Sequence, residues 1–463
     1  MEIHTGFSGY FFAVRTLIMK HEHRHNQWTS RLGFVLATAG AAIGLGNLWK
    51  FPYLMGRNGG FSFLTAYLVF VLVLGVPVMM LEMSLGRYTG KDPVSSYQQV
   101  HSKAGITGLF GVLAAFIILS YYSVIGGWLI KYLVSYATTL TAPTDFNSFT
   151  GSWEAVFWFF LFLGATVVIC LKGVRGIEKA SKVMMPLLFV LLLVIIVRSV
   201  TLPGASAGLR FIFVPEQGTF NLSSISAALG QVFYSLSLCM GITITYGSYL
   251  PKGENIPKSC ANVAVMDTLV ALLAGIAIFP AVFAFGLEPD QGPSLIFGTL
   301  PKVFGALSGG PVFAAAFFVL ILFAAVTSAI ALLEVVVSYV VGRWGWPRRR
   351  AVLVMGFLIF LLGIPSSLSF GPLADFKIAG YNFFDFVGVL TDNILLPVGG
   401  LLMCWFLGWK WDLSKLADEM EDGCPGFRYR RIWISCIRYL TPILVLIVTI
   451  TGFVSIYQTV TSR

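Results

Sequence analysis

The chain has 463 residues, of which 57% are hydrophobic and only 11% charged; soluble domains carry about a quarter charged residues. That balance excludes a water-soluble globular fold, and the net charge of +10 is spread over loops rather than gathered into a nucleic-acid surface. The apolar runs are long and do not alternate, so helices rather than barrel strands are expected to cross a bilayer.

In chain order, residues 1–27 read as a cytoplasmic tail. Within it "GYFFAVRTLIMK" is apolar but too short to span. It is read as an unstructured extension ahead of an internal start at Met19; a signal-like start is the alternative, without a small-residue cleavage site after it. His21, His23 and His25 of "HEHRH" are read as part of a solvated tail rather than a metal site. Runs of about 20 apolar residues then fall near 31–54, 61–85, 107–137, 153–171, 183–201, 224–250, 260–286, 311–341, 350–368, 380–408 and 433–459, eleven spans in all.

Cations concentrate in every second connection. Arg24 and Arg31 precede span one; Arg87, Lys91 and Lys103 follow span two; Lys172, Arg175, Lys179 and Lys182 follow span four. Lys252 and Lys258 follow span six, Arg343 and Arg348 to Arg350 follow span eight, and Lys410, Lys415, Arg428, Arg430 and Arg431 follow span ten. The intervening loop 138–152 has none, and 287–310 has only Lys302. By the positive-inside rule the N-terminus is cytoplasmic and the C-terminus extracytoplasmic, in a multi-pass protein of the inner (plasma) membrane. The six cysteines show no CxxC spacing, so free thiols are expected.

Span one contains "ATAGAAIGLGNLWKFP", with Gly40, Gly44 and Gly46 followed by Asn47. A helix broken in hydrocarbon strands backbone groups, each unsatisfied one costing several kcal/mol. Such a break needs a ligand or protein partner to satisfy it; close helix packing through Gly40 and Gly44 is the alternative. Span six echoes the pattern: "GQVFYSLSLCMGITITYGSYL" carries Ser235, Ser237 and Gly241 near its centre. Five spans separate the two, and an odd offset inverts the second unit relative to the first. Paired interrupted helices in two halves point to an inverted-repeat transporter with its site between the breaks.

These stretches, with Trp28 and "SRLGF", "GGFSFLTAY", "GVPVMMLEMSLGRY", "YYSVIGGW", "DTLVALLAGIAIFPAVFAFG" and "FAAVTSAIALLEV", resemble the neurotransmitter:sodium symporter family, and within it the bacterial eleven-helix amino-acid transporters. The match runs from about Gln27 to span eleven. It implies an all-α membrane protein of the LeuT type: a five-helix repeat over 28–201, its inverted counterpart over 202–408, a cytoplasmic loop over 409–431, and an eleventh helix over 432–463. Spans one and six are expected to unwind at mid-membrane.

The resemblance also implies two sodium sites. The first would take the Ala42 carbonyl, Asn47, Ser235 and Asp267; the second the Gly40 and Ile43 carbonyls with Ala324, Thr327 and Ser328. Back-bonding of Thr327 and Ser328 to their own helix is the alternative. Asp267 would be a fixed counter-charge beside the first sodium, replacing the chloride of other family members, or would carry a proton. The position one turn on is Ala271, with no hydroxyl for a halide, so no chloride is expected. An amine-transporting relative carries an acid where this chain has Gly44, and glycine leaves room for a substrate bringing its own carboxylate. That carboxylate would face Ala42, Gly44, Gly46 and the Tyr122 hydroxyl. The amine would meet carbonyls near Ser235 and Leu238, and the side chain would face Ile118, Tyr234, Ser237, Met240 and Thr327.

Structural roles fall to Trp28, Gln231 and Glu82, the last accepting from the unwound part of span six. Glu334 and Asp392 are read as solvated or packing residues. The outer gate would use Lys50, with Gly388 at the usual acid position and Asp385 one turn earlier. At the inner gate the usual arginine position holds His25, with Arg24 one residue away, and the usual acid position holds Gly342. The expected function is sodium-coupled import of neutral, hydrophobic L-amino acids by alternating access, by a chain for which a monomer suffices. Transport of an amine or osmolyte, and a channel, are the rivals; a membrane enzyme lacks a nucleophile–base pair.

Overall fold

The computed structural model describes residues 27–143, 146–215, 221–287 and 295–461. Residues 1–26, with His21, His23, Arg24 and His25, lie outside that set. Among the described residues nine helices are long and apolar enough to cross a bilayer uninterrupted: Phe61–Thr89, Ser102–Thr139, Trp153–Cys170, Gly173–Val200, Ile256–Ala284, Gly310–Trp344, Arg348–Leu368, Phe383–Trp409 and Arg430–Thr461. Two more spans are broken. Span one is Arg31–Ala42 followed by Gly46–Arg57, bent by 50°. Span six is Leu222–Ser235 followed by Ile242–Ser248. The order of spans follows the eleven expected from hydropathy.

Boundaries differ where charge hides a helix. Span five begins at Gly173, ten residues before its apolar run, because Arg175, Glu178, Lys179 and Lys182 continue the same helix. The connection 409–431 is not a bare loop: it holds the helix Ser414–Glu421, whose Glu419 docks on Arg87 of span two at 2.8 Å. Short helices Pro93–Val100, Ala205–Phe213 and Leu295–Ala306, and a two-residue antiparallel pair with Lys377 opposite Asn382, fill other connections.

Spans three and eight are the most enclosed, and five and eleven the most open to the surroundings. Span one packs against spans five, seven and eight, and span six against span two, and these neighbours supply polar partners that hydrocarbon cannot. The connections rich in cations meet at one end. Arg31 reaches Glu254 at 3.0 Å, Arg87 reaches Glu419, and Arg348 reaches the Cys170 carbonyl at 2.8 Å.

Candidate functional site

Span one stops at Ala42 because Ile43 turns to extended backbone, φ −73° and ψ 102°. In an unbroken helix the Gly44 N–H would return to Gly40. Here it donates to Asn47 Oδ1 at 3.1 Å. The carbonyls of Gly40, Ala41 and Ile43 converge instead on Ser328 Oγ of span eight, at 3.3, 3.2 and 3.3 Å. One hydroxyl has one hydrogen to donate, so three carbonyls around it have acceptor capacity to spare. Such a cage of neutral oxygens suits a hard monovalent cation. Thr327 is turned differently: its hydroxyl donates back to Phe323 and Ala324 carbonyls, both at 3.0 Å. Gly40 also packs closely, since a Cβ there would lie 3.1 Å from Met185 Sδ and from Thr327 Cβ. Break and packing thus use the same glycine.

On the other side of the break three acceptors gather around Asn47 Nδ2: Ser235 Oγ at 3.1 Å, the Asp267 carbonyl at 3.1 Å and Asp267 Oδ1 at 2.8 Å. Asp267 Oδ2 accepts from Ser235 at 2.8 Å and from Tyr67 at 3.1 Å. Asn47, Tyr67, Ser235 and Asp267 are all buried, and no cation touches this carboxylate among the described residues. The amide donor occupies the point where acceptors meet; a half-turn of the Asn47 amide would put Oδ1 there beside a cation. Tyr67 carries no signal in the sequence, because a tyrosine inside the apolar run of span two reads as an ordinary packing residue.

The break in span six is held open by strain and its relief. Ser237 and Cys239 take positive φ of 52° and 62°, a conformation costing roughly 1–2 kcal/mol for residues with a Cβ. Glu82 offsets that cost. Its Oε1 accepts the Cys239 N–H at 3.2 Å and its Oε2 accepts the Thr243 hydroxyl at 2.5 Å. Gln231 Nε2 donates to the Gly46 carbonyl at 2.9 Å, tying the two breaks together.

Between the breaks lies a small cavity. Its wall includes Ala42, Gly44, Gly46, Ile118, Tyr122, Tyr234, Ser237 and Met240, as expected, together with Ser328, Ile242 and Leu332, which had not been assigned to it. Ser235, Leu238 and Thr327 do not line it. Ser235 is turned to Asp267, Leu238 is buried behind the break with its N–H on the Phe233 carbonyl, and Thr327 is back-bonded. The polar end is distinct: the Leu45 N–H donates to the Tyr122 oxygen at 3.3 Å, which leaves the phenolic hydrogen for another acceptor. The opposite walls, from Ile118, Met240, Ile242 and Leu332, are apolar. Among the described residues no carboxylate lines the cavity.

The family model for the sodium:neurotransmitter symporter family matches residues 25–156 and 147–462. The chain belongs to the sodium:neurotransmitter symporter family. The uncharacterized sodium-dependent transporter YhdH of Bacillus subtilis (strain 168) is 40% identical, over 92% of this chain and 97% of that one. The sodium- and chloride-dependent GABA transporter 2 of Homo sapiens is 27% identical, over 90% of this chain and 78% of its own. The crystal structure of MhsT in complex with L-phenylalanine superposes with a TM-score of 0.85 at 43% identity, over 92% of this chain and all of that one. The fold is thus of the LeuT type, in a multi-pass membrane transporter and not an enzyme.

In this symporter the two ends of the cavity are closed differently from the sequence-based expectation. Lys50 pairs with Asp392, Nζ to Oδ2 3.0 Å, and not with Asp385. The reason is depth: Lys50 Nζ lies 4.0 Å above the Tyr234 ring that roofs the cavity, whereas Asp385 sits in the first turn of its helix, seven residues before Asp392. A wide helical turn over Leu390–Leu395 carries Asp392, so Asp392 is not a solvated residue. The two side chains stay 37% and 27% exposed, and an ion pair this exposed contributes about 0.5–1 kcal/mol. Asp392→Asn is expected to speed substrate release by about three- to fivefold, as read by the dissociation rate of labelled substrate.

At the cation-rich end the Trp28 indole donates to the Tyr246 carbonyl at 3.1 Å and its ring packs on Phe34, Tyr246 and Tyr249. Arg31 meets Glu254, in the connection after span six. Gly342 is closely faced by the Asp92 carboxylate rather than offering an acid of its own. Glu334 is fully buried, not solvated. It binds Arg348 and accepts from the Tyr249 hydroxyl at 2.8 Å.

Proposed function

We propose that this symporter imports neutral, hydrophobic L-amino acids with sodium, by alternating access between its two halves, 28–201 and 202–408. The observation that carries the reading is the cavity itself: one end is backbone and hydroxyl, the other apolar, and among the described residues no carboxylate lines the wall. Gly44 leaves no room for one, because a Cβ there would lie 2.5 Å from Ser328 Oγ and 3.0 Å from the Tyr122 oxygen. A substrate that brings its own carboxylate meets the Tyr122 hydroxyl and a nearby cation; an apolar side chain fills the Ile118, Met240, Ile242 and Leu332 end. MhsT, similar over its whole length, was solved with L-phenylalanine, which supports this substrate class.

Two sodium ions are proposed as co-substrates. Asn47, Ser235 and Asp267, with the Ala42 carbonyl, would hold the first. The Gly40 and Ile43 carbonyls with Ser328 and span eight near Ala324 and Thr327 would hold the second. The second ion would bridge spans one and eight and so favour the closed inner end. The cation-rich end is taken as cytoplasmic, which puts the N-terminus inside and the C-terminus outside. Competition of labelled L-leucine uptake by all twenty amino acids and by a panel of amines and osmolytes, with sodium and with potassium, tests the reading. Competition by hydrophobic amino acids only in sodium is expected; competition by amines or osmolytes alone would replace the substrate class.

The two hydroxyls of span eight are predicted to differ. Ser328→Ala removes the group on which three carbonyls converge, and the sodium concentration for half-maximal binding should rise about tenfold. Thr327→Ala removes a back-bonded hydroxyl and should shift it by about threefold or less. Sodium titration of substrate binding in the two variants reads the difference.

A further inference from the structure

Away from the cavity, four donors gather on one carboxylate. Glu178, in the second turn of span five, is 2% exposed. Its Oε1 accepts from Thr29 Oγ1 at 2.7 Å and from Ser30 Oγ at 2.7 Å; its Oε2 accepts the Thr29 N–H at 2.9 Å; Lys182 Nζ, one turn along, reaches Oε1 at 2.6 Å. Ser30 is itself the cap of the inner half of span one, accepting the Gly33 N–H at 3.0 Å. The carboxylate therefore lies at the first turn of that half-helix, where amides lack helical partners and the helix dipole favours negative charge. Gly33 makes the approach possible, because any Cβ there would collide with the carboxyl and Cγ of Glu178.

We infer that Glu178 is a positioning residue for alternating access: it latches the inner half of span one onto span five, and its release permits opening at the cation-rich end. This rests on the transport reading above. The latch is built to let go without stranding a charge. When the half-helix leaves, water replaces the donors from Thr29 and Ser30, while Lys182 stays beside Glu178 on the same helix. Arg31–Ala42 is one continuous helix of 12 residues, so the latch at its start and the Gly40 carbonyl near its end move as one body. Loosening the latch must then weaken sodium binding at Gly40 and Ile43.

The test is amide hydrogen exchange of the full chain in lipid nanodiscs, without sodium and at saturating sodium. In Glu178→Gln, exchange over residues 31–38 without sodium should rise about tenfold, with span nine as an unchanged reference. Saturating sodium should restore protection, and the sodium needed for half-maximal substrate binding should rise in parallel. Gly33→Ala should act in the same direction, and adding Glu178→Asp, one methylene shorter, should relieve it; general damage to the fold would not be relieved. Exchange and half-saturation within about twofold of wild type in Glu178→Gln, or a Gly33→Ala defect that Glu178→Asp leaves in place, would overturn the latch. Absence of sodium-dependent amino-acid binding in the wild type would instead reject the transport reading, while the sodium-free exchange still decides the latch.

Discussion

Gly44→Asp is expected to abolish measurable amino-acid binding. A Cβ at this position already lies 2.5 Å from Ser328 Oγ, so the side chain must displace the hydroxyl on which the span-one carbonyls converge. Its carboxylate would then face the carboxylate of the substrate across the cavity. Two like charges about 4 Å apart repel by about 4 kcal/mol at an effective dielectric of 20, which corresponds to roughly a thousandfold in affinity. Gly44→Ala meets the same contact without the charge and should lose less, about ten- to thirtyfold. Binding of labelled L-leucine to the two variants separates the steric from the electrostatic part. Equal losses would show that charge at Gly44 does not select the substrate class.

Asp267→Asn is expected to raise the sodium concentration for half-maximal binding by about ten- to a hundredfold. Asp267 is buried, it accepts from Asn47, Ser235 and Tyr67, and no cation offsets it among the described residues. A buried carboxylate without a charged partner costs several kcal/mol, and the sodium proposed beside Asn47 would supply the missing charge. The same electrostatics bounds the effect at about 4 kcal/mol for a cation about 4 Å away. With the counter-charge built in, replacing chloride by gluconate should leave wild-type uptake unchanged. In Asp267→Asn the deficit opens the site to anions, so uptake should become sensitive to chloride. Loss of most wild-type uptake in gluconate would assign the counter-charge to a halide.

Much of the architecture was legible because membrane burial leaves a coarse signal. A span needs a long apolar run, and a broken span needs small or polar residues where the run should be strongest; Gly40 to Asn47 and Ser235 to Gly241 carry that signal openly. Pairings between distant spans were less legible. Asp392 and Asp385 lie on one helix, and only the depth of Lys50 over Tyr234, with the wide turn at Leu390–Leu395, selects the former. Glu334 looked like a helix-end acid because its partners, Arg348 and Tyr249, come from other segments. Tyr67 was silent, since the residue that defines its role, Asp267, is 200 positions away. The resemblance implies carbonyls near Ser235 and Leu238 for the substrate amine; in the structure the Ser235 hydroxyl turns to Asp267 and Leu238 is buried, beside left-handed turns at Ser237 and Cys239.

Sodium is expected to drive accumulation of a neutral hydrophobic amino acid. Uptake of labelled L-leucine into proteoliposomes carrying an inward sodium gradient tests it most directly. The internal concentration should rise above the bath concentration, then collapse when a sodium ionophore dissipates the gradient. Equilibration without accumulation, or equal accumulation when potassium replaces sodium on both sides, would contradict it.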